Sequence, residues 1–211
     1  MDGYGGYQDL FTRVAATAIE VSCWAHARRG FVETLEAGDL RAAIPVKLIA
    51  KLYDIERAAT EAGDTHDARL ERRQREAPPI LAALGGWMAD TYQAEPPKSP
   101  LAKACYYAIA RWESLKRYLE DGRLPIDNTA SERELRQVAV GRANYLFAGS
   151  DQGGERAAIA HTVISTCMLA EIDPLAYLTD VFQKLANGWP NNRLDELLPP
   201  NWAAARHAAA A

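Results

Sequence analysis

One short strand-like segment stands alone among helical segments, and it limits what this chain can fold into. Residues 18–24 alternate apolar and polar side chains, with Ile19, Val21 and Cys23 on one face. That alternation is typical of a half-buried β-strand. A lone strand leaves its backbone N–H and C=O groups unsatisfied. The fold is therefore either entirely α-helical or part of a sheet whose other strands are missing.

Helical periodicity covers most of the remaining chain. The turn at Gly38 ends one predicted helix, and Asp39 can cap the next. Pro45 lies a few residues into that next helix, which predicts that its first turn is separate from the rest. The pair Pro78–Pro79 precedes an apolar run that begins at Ile80. The predicted helices span 8–16, 25–37, Asp39 to the break at Gly63, 67–76, 80–88, 101–119, 128–140, 154–170 and 174–186.

Composition and charge set broad limits on the class of protein. The 211 residues are 48% hydrophobic and 25% charged, as in a soluble globular protein with a real core. The net charge of −4 is unlike the basic excess of a stand-alone nucleic-acid-binding domain, although local basic clusters remain possible. There is neither a signal peptide nor an apolar stretch near the ~20 residues that a membrane span needs, so we expect a cytoplasmic protein. The mixed charges of residues 71–76 predict a segment that lies mostly at the surface.

Cysteine usage gives no sign of a disulfide framework or a zinc site. Cys23, Cys105 and Cys167 are odd in number and far apart, which favours reduced thiols. Cys23 and His26 have a spacing found in metal sites, but structural zinc takes four ligands and no matching second pair exists. A packed segment is the simpler interpretation.

The segment from Ile126 to Arg136 has two competing interpretations. Thr129 with Glu132, and Ser131 with Glu134, each form the pattern of a capping box, which is purely structural. Alternatively, Glu132 at a helix start presents its carboxylate to a metal, and carboxylate oxygens suit Mg²⁺ or Mn²⁺.

Several blocks of sequence, in order along the chain, resemble the insertion sequence 66 family of DNA transposases. They are DGYGGYQ at 2–8, CWAHARRGF at 23–31, DGRLPIDNTASERELR at 121–136, GRANYLFAGSDQGGERAA at 141–158, and the ending DPLAYLTDVFQKL with RLDELLPPNW. The resemblance implies a ribonuclease-H-like core with an Asp-Asp-Glu triad. In such triads two divalent ions activate the attacking oxygen and stabilise the leaving oxygen of a DNA phosphodiester.

The resemblance assigns two of the three catalytic, metal-binding carboxylates to this chain. The second aspartate of the pattern falls on Asp2 and the glutamate falls on Glu132, with Mg²⁺ or Mn²⁺ as the cofactor. The first aspartate would lie upstream of Met1, as would the family's N-terminal DNA-binding and zinc-binding portions. We therefore expect a truncated transposase that is inactive alone, and whether it is an enzyme stays open.

The same resemblance implies a mainly α fold with four regions. Residues 1–38 would end the ribonuclease-H-like core, with 18–24 as its edge strand, and 39–120 would form a large helical insertion. Residues 121–170 would carry the catalytic glutamate, and 171–211 would form a C-terminal helical segment and tail.

Basic residues near the proposed site suggest DNA contacts. The forked guanidinium group suits phosphate oxygens, and the candidates are Arg28, Arg29, Arg133, Arg136 and Arg142. The alternative is a purely structural role, in which these arginines lie on a solvated helix face and pair with glutamates at helical spacing. The turn at 149–154 before a helix could cradle a phosphate or be an ordinary capped turn.

Three functions remain in competition. In the first, the chain belongs to a transposase that cuts and joins DNA, with transposon ends, target DNA and other transposase subunits as partners. In the second, it is a non-catalytic remnant that binds only DNA or a transposase. In the third, it is a helical scaffold with no role on DNA.

Overall fold

The computed structural model describes residues 19–141 and 149–210, and within those ranges the chain is helical without a β-strand. The predicted mainly α fold is thus confirmed. Contacts divide the chain into two compact units, with the boundary between Ser131 and Glu132. Within the described ranges, none of the helices combines the length and the apolar character that crossing a membrane requires. The predicted helix at 8–16 lies outside the described residues.

Four helices form the frame of the first unit. They are α1 (Trp24–Glu36), α2 (Ala43–Glu61), α3 (His66–Ala94) and α4 (Pro100–Ala110). Helix α1 packs on α2 and α4, and α3 packs on the same two helices, so the four surround one core. A short helix, α5 (Trp112–Lys116), and a 3-10 turn (Arg117–Leu119) follow.

The core of the first unit is built from one apolar face of each helix. Its fully buried side chains include Trp24 and Phe31 from α1, Leu52 from α2, Leu84 from α3 and Leu101 from α4. Burying each such side chain contributes roughly 1.5–3 kcal/mol.

Helix boundaries follow local capping chemistry. Gly38 adopts a φ of 102°, which ends α1 as predicted. The carboxylate of Asp39 accepts the backbone N–H of Arg41 at 3.1 Å and starts a separate 3-10 turn (Leu40–Ala42) before α2. The hydroxyls of Thr65 and Ser99 accept backbone N–H groups at the starts of α3 and α4. These are ordinary N-caps, each worth about 1 kcal/mol.

The strand predicted at 18–24 is wrong for the residues that are described, 19–24. Residues 19–23 are extended, but Ser22 N–H donates to the carbonyl oxygen of Ser114 at 3.0 Å, and helix α1 already begins at Trp24. Ser22, which the alternation placed on the polar face, is buried because its hydroxyl hydrogen-bonds that of Ser114 at 2.8 Å. Hydrogen bonds to Ser114 of α5 thus take the place of those that a neighbouring strand would provide.

The prediction of a break after the charged run 71–76 is also corrected. Pro78 and Pro79 lie inside one continuous helix, α3, rather than between two helical segments. Both prolines are exposed, so the carbonyl groups that lose an intrahelical donor face solvent, while Ala77 and Leu81 stay buried on the other side. The charged run itself is mostly at the surface, as predicted, and Arg73, which is only 1% exposed, is the exception.

A break near Arg111 divides the helix predicted over 101–119. The backbone of Arg111 has φ −113° and ψ 14°, outside the α region, and it separates α4 from α5. The hydroxyl of Ser114 donates back to the Arg111 carbonyl oxygen at 3.0 Å. That local hydrogen bond is the kind of side-chain competition that bends or interrupts helices.

The second unit is smaller and holds α7 (Asp151–Leu169), α8 (Pro174–Ala186) and α9 (Pro199–Ala210), with a 3-10 segment (Asn191–Leu197) before α9. Helix α6 (Thr129–Gly141) begins in the first unit and continues into the second. Tyr177 and Trp202 centre the core of the second unit, with ring centroids 5.4 Å apart in a T-shaped arrangement. The Tyr177 hydroxyl donates to the Leu197 carbonyl oxygen at 2.7 Å, so its buried polar end is satisfied.

Candidate functional site

The start of helix α6 is fixed by the carboxylate of Asp127. Its Oδ1 accepts the backbone N–H of Thr129 at 3.0 Å, and its Oδ2 accepts the hydroxyl of Tyr53 at 2.9 Å. Tyr53 lies on α2, 74 residues earlier in the chain. One carboxylate therefore joins Thr129, the first residue of α6, to Tyr53 of α2.

Tyr53 is held in its protonated, donating form. Burial is the main cause that raises the pKa of its hydroxyl above the ordinary value, and the hydrogen bond to the Asp127 carboxylate adds to it. A neutral phenol beside an ionised carboxylate donates a charge-assisted hydrogen bond, which is stronger than a bond between neutral groups.

The predicted capping boxes do not occupy the cap position. Helix α6 begins at Thr129, so Thr129 and Ser131 lie inside its first turn rather than before it. Asp127, two residues before the first helical residue, supplies the acceptor instead, through a local hydrogen bond to the chain two residues on.

Glu132 is half-buried in the first turn of α6. Arg133 and Arg136 are exposed on the same helix. Residues three or four apart are neighbours on a helix surface, so Arg136 lies on the side of Glu132 and also next to Arg133. The structure thus brings three of the predicted site residues onto one short stretch of helix.

The other predicted site residues fall elsewhere. Arg28 and Arg29 lie on α1, where Arg28 is half-buried and Arg29 is exposed, and neither forms an ion pair with another described residue. Asp2 and Arg142 lie outside the described residues. The two arginines of α1 belong to the first unit and those of α6 to the second.

Of the two described carboxylates in this segment, Asp127 and Glu132, Glu132 is the candidate ligand for a hard divalent ion. Both oxygens of Asp127 already accept hydrogen bonds, so Asp127 serves the helix start. The half-buried carboxylate of Glu132 is the type of ligand that Mg²⁺ and Mn²⁺ prefer. Across 19–141 and 149–210, no three His, Cys, Asp or Glu side chains are grouped to hold a metal ion, Cys23 and His26 included.

The turn at 149–154 is an ordinary helix start. Gly149 has a φ of 80°, and the hydroxyl of Ser150 accepts the Gly153 N–H at 3.1 Å as the N-cap of α7. Of the two interpretations of this glycine-rich turn, this geometry supports the capped turn.

Tyr53 and Asp127 are the site residues that sequence reasoning missed. Asp127 stands inside the segment that was singled out, and an aspartate two residues before a helix start is itself a capping signal. Tyr53 had no such signal, because its partner is 74 residues away on a separate element.

Removing the Tyr53 hydroxyl should weaken the anchor of α6. We expect Tyr53→Phe to lower the free energy of unfolding by about 1–2 kcal/mol, because the Asp127 carboxylate loses a donor in a half-buried place. Urea unfolding followed by circular dichroism measures this loss. Tyr106→Phe is the control, since Tyr106 is 57% exposed, and it should change stability by less than about 0.5 kcal/mol. Equal stability of the two variants would contradict the anchoring role.

Comparison with known proteins identifies the family. Residues 1–156 match the family model described as Transposase IS66 family, and residues 162–199 match that of the IS66 C-terminal element. Three similar proteins of Sinorhizobium fredii are the uncharacterized proteins y4hP, y4jD and y4qI, at 38%, 34% and 34% identity over 98%, 97% and 96% of the chain. The chain spans 40%, 41% and 38% of the length of these relatives. No solved structure matches. The chain belongs to the IS66 family of transposases.

Proposed function

We propose that this chain carries two of the three catalytic carboxylates of a transposase that cuts and joins DNA. Asp2 and Glu132 would hold Mg²⁺ or Mn²⁺, which supplies activation of the attacking oxygen and stabilisation of the leaving oxygen when bound. The observation that carries the proposal is the position of Glu132, half-buried in the first turn of a helix whose start is anchored by Asp127 and Tyr53.

Rigid placement is what this chain would contribute to the reaction. A catalytic carboxylate must stay close to its productive geometry, and a helix start held by hydrogen bonds meets that need better than a loop. Arg133 and Arg136 are exposed on the same helix and support DNA phosphates as ligands beside Glu132. One guanidinium group can donate two hydrogen bonds to the oxygens of one phosphate.

The proposal includes the organisation of the chain. Residues 1–38 would be the closing part of a ribonuclease-H-like core, and 39–120 a helical insertion. Residues 121–170 would form the segment that carries the glutamate, and 171–211 the C-terminal segment. Transposon ends and target DNA would be the substrates in the cytoplasm, with further transposase subunits as partners.

Glu132→Gln should abolish metal-dependent cleavage. The test uses this chain joined to the upstream sequence of a longer relative, with supercoiled plasmid and Mg²⁺ or Mn²⁺, and measures nicking. Loss of a ligand that contributes several kcal/mol to the transition state should lower the rate at least about 100-fold, since each ~1.4 kcal/mol is a factor of ten. Glutamine keeps the size of the side chain, so the fold should survive.

Glu155→Gln provides the matched control. Glu155 is an exposed glutamate of helix α7, and its replacement should leave nicking unchanged. Metal-dependent nicking that persists in Glu132→Gln would remove Glu132 from the site. Salt-sensitive DNA binding without any nicking would instead favour a remnant that only binds, because phosphate contacts release counterions.

A further inference from the structure

A cleft between helices α1 and α4 of the first unit is not used by the proposed catalytic site. It has a volume of about 500 Å³. Its floor is made of small residues, and the two helices approach closely there, since a Cβ added to Gly30 would lie 3.3 Å from that of Ala104. The tight crossing leaves room above the backbone, between the longer side chains of the two rims.

Each rim of the cleft carries an exposed cation. Arg29 stands on the α1 rim and Lys103 on the α4 rim, and neither forms an ion pair within the described part of the chain. Elsewhere in the unit basic side chains are often neutralised, as Arg69 is by Glu56 and Arg72 by Asp64. Two exposed cations that face one cleft give it a local positive potential.

The remaining charges around the cleft leave this sign unchanged. Glu33, one turn after Arg29 on the same rim, is the carboxylate that lines it. Pro100 at the start of α4 also lines the cleft, so the positive end of that helix adds to the attraction of an anion. The guanidinium of Arg111 lies 4.2 Å from the ring centre of Tyr107, another cleft residue, and adds positive charge on the α4 side.

We propose that this cleft binds the phosphate backbone of DNA through Arg29 and Lys103. The proposal rests on the proposed function, which makes DNA the substrate, and it adds Lys103 and a defined place in the fold. Both cations are exposed and hydrated, so a small free anion gains little there. A polyanion gains from releasing its condensed counterions when cations replace them.

The test measures binding of a fluorescein-labelled DNA duplex to the full chain by fluorescence anisotropy, between about 50 and 200 mM salt. Each phosphate contact contributes about 0.9 to the slope of log affinity against log salt. The Arg29→Gln/Lys103→Gln double variant should therefore lose about 1.8 from that slope and at least about ten-fold in affinity. Inorganic phosphate added at constant ionic strength should not displace the duplex.

Two further variants make the result specific to the cleft. Lys47→Gln/Lys51→Gln removes the same charge from two exposed lysines of α2 and should leave slope and affinity nearly unchanged. Glu33→Gln removes the carboxylate beside Arg29 and should raise the affinity several-fold, a gain that misfolding does not produce.

Several results would overturn the proposal. They are an unchanged slope in the Arg29/Lys103 variant, an equal loss in the Lys47/Lys51 variant, displacement by inorganic phosphate, or no DNA binding by the chain. Failure of the proposed function appears separately, as absence of metal-dependent nicking in the longer protein. Salt-dependent binding at the cleft can hold while nicking fails, and nicking can hold while the cleft variants bind normally.

Discussion

Replacing Arg73 by alanine is expected to lower the free energy of unfolding by about 3–5 kcal/mol. The guanidinium is 1% exposed and forms a two-point pair with Glu56, with both N···O distances at 2.7 Å. It also donates to the carbonyl oxygens of Tyr118 at 2.8 Å and Asp121 at 3.1 Å. The alanine variant leaves a mostly buried carboxylate and two carbonyl groups without these donors, and that desolvation dominates the loss.

Arg75→Ala is the matched control for this change. Arg75 lies two residues further along α3, is 65% exposed and pairs with its neighbour Glu76. Its replacement should change stability by less than about 0.5 kcal/mol in urea unfolding followed by circular dichroism. The Arg73→Met/Glu56→Leu double variant should recover much of the loss, because it removes both buried charges together. A small effect of Arg73→Ala would show that Arg69, which also donates to the Glu56 carboxylate at 3.1 Å, or water replaces the lost donors.

The burial of Arg73 could not be predicted from the sequence. The run Glu71 to Glu76 mixes signs, and such runs are usually solvated. Its burial depends on Glu56, 17 residues earlier on another helix, and on carbonyl groups more than 40 residues later. Only the packed structure brings these partners together. The same limit applies to Tyr53 and Asp127, whose hydrogen bond joins distant elements.

Local patterns, by contrast, identified most helices and the place of Glu132. The predicted helices at 25–37, 128–140 and 174–186 correspond to α1, α6 and α8 within one residue at each end. Each has helical apolar spacing and a nearby capping or turn residue, and both signals act over a few residues. Alternation failed at 18–24 because only about five residues supported it, and contacts with Ser114 and Ile126 determined which side chains are buried.

Trp24→Ala is the second change with a large expected effect, about 3–5 kcal/mol of lost stability. The side chain is fully buried, and its indole N–H donates to the Leu115 carbonyl oxygen at 2.8 Å. Its ring and that of Trp112 are T-shaped, with centroids 6.0 Å apart. Alanine leaves a large cavity and an unpaired carbonyl group. Trp24→Phe keeps most of the volume and should cost about 1–3 kcal/mol, which separates the hydrogen bond from the packing.

Trp24 also connects the core to the candidate site. Its backbone N–H donates to the carbonyl oxygen of Ile126 at 3.2 Å, and Ile126 immediately precedes Asp127. The alanine variant keeps this backbone N–H but loses the packing that holds it in place, so the segment before α6 should loosen and amide hydrogen exchange of Leu124 and Thr129 should accelerate. Trp87→Ala is the control, because that half-buried ring packs against Phe31 on the α3 side of the core. Equal acceleration in both variants would mean that the start of α6 depends on general stability rather than on the anchor at Trp24.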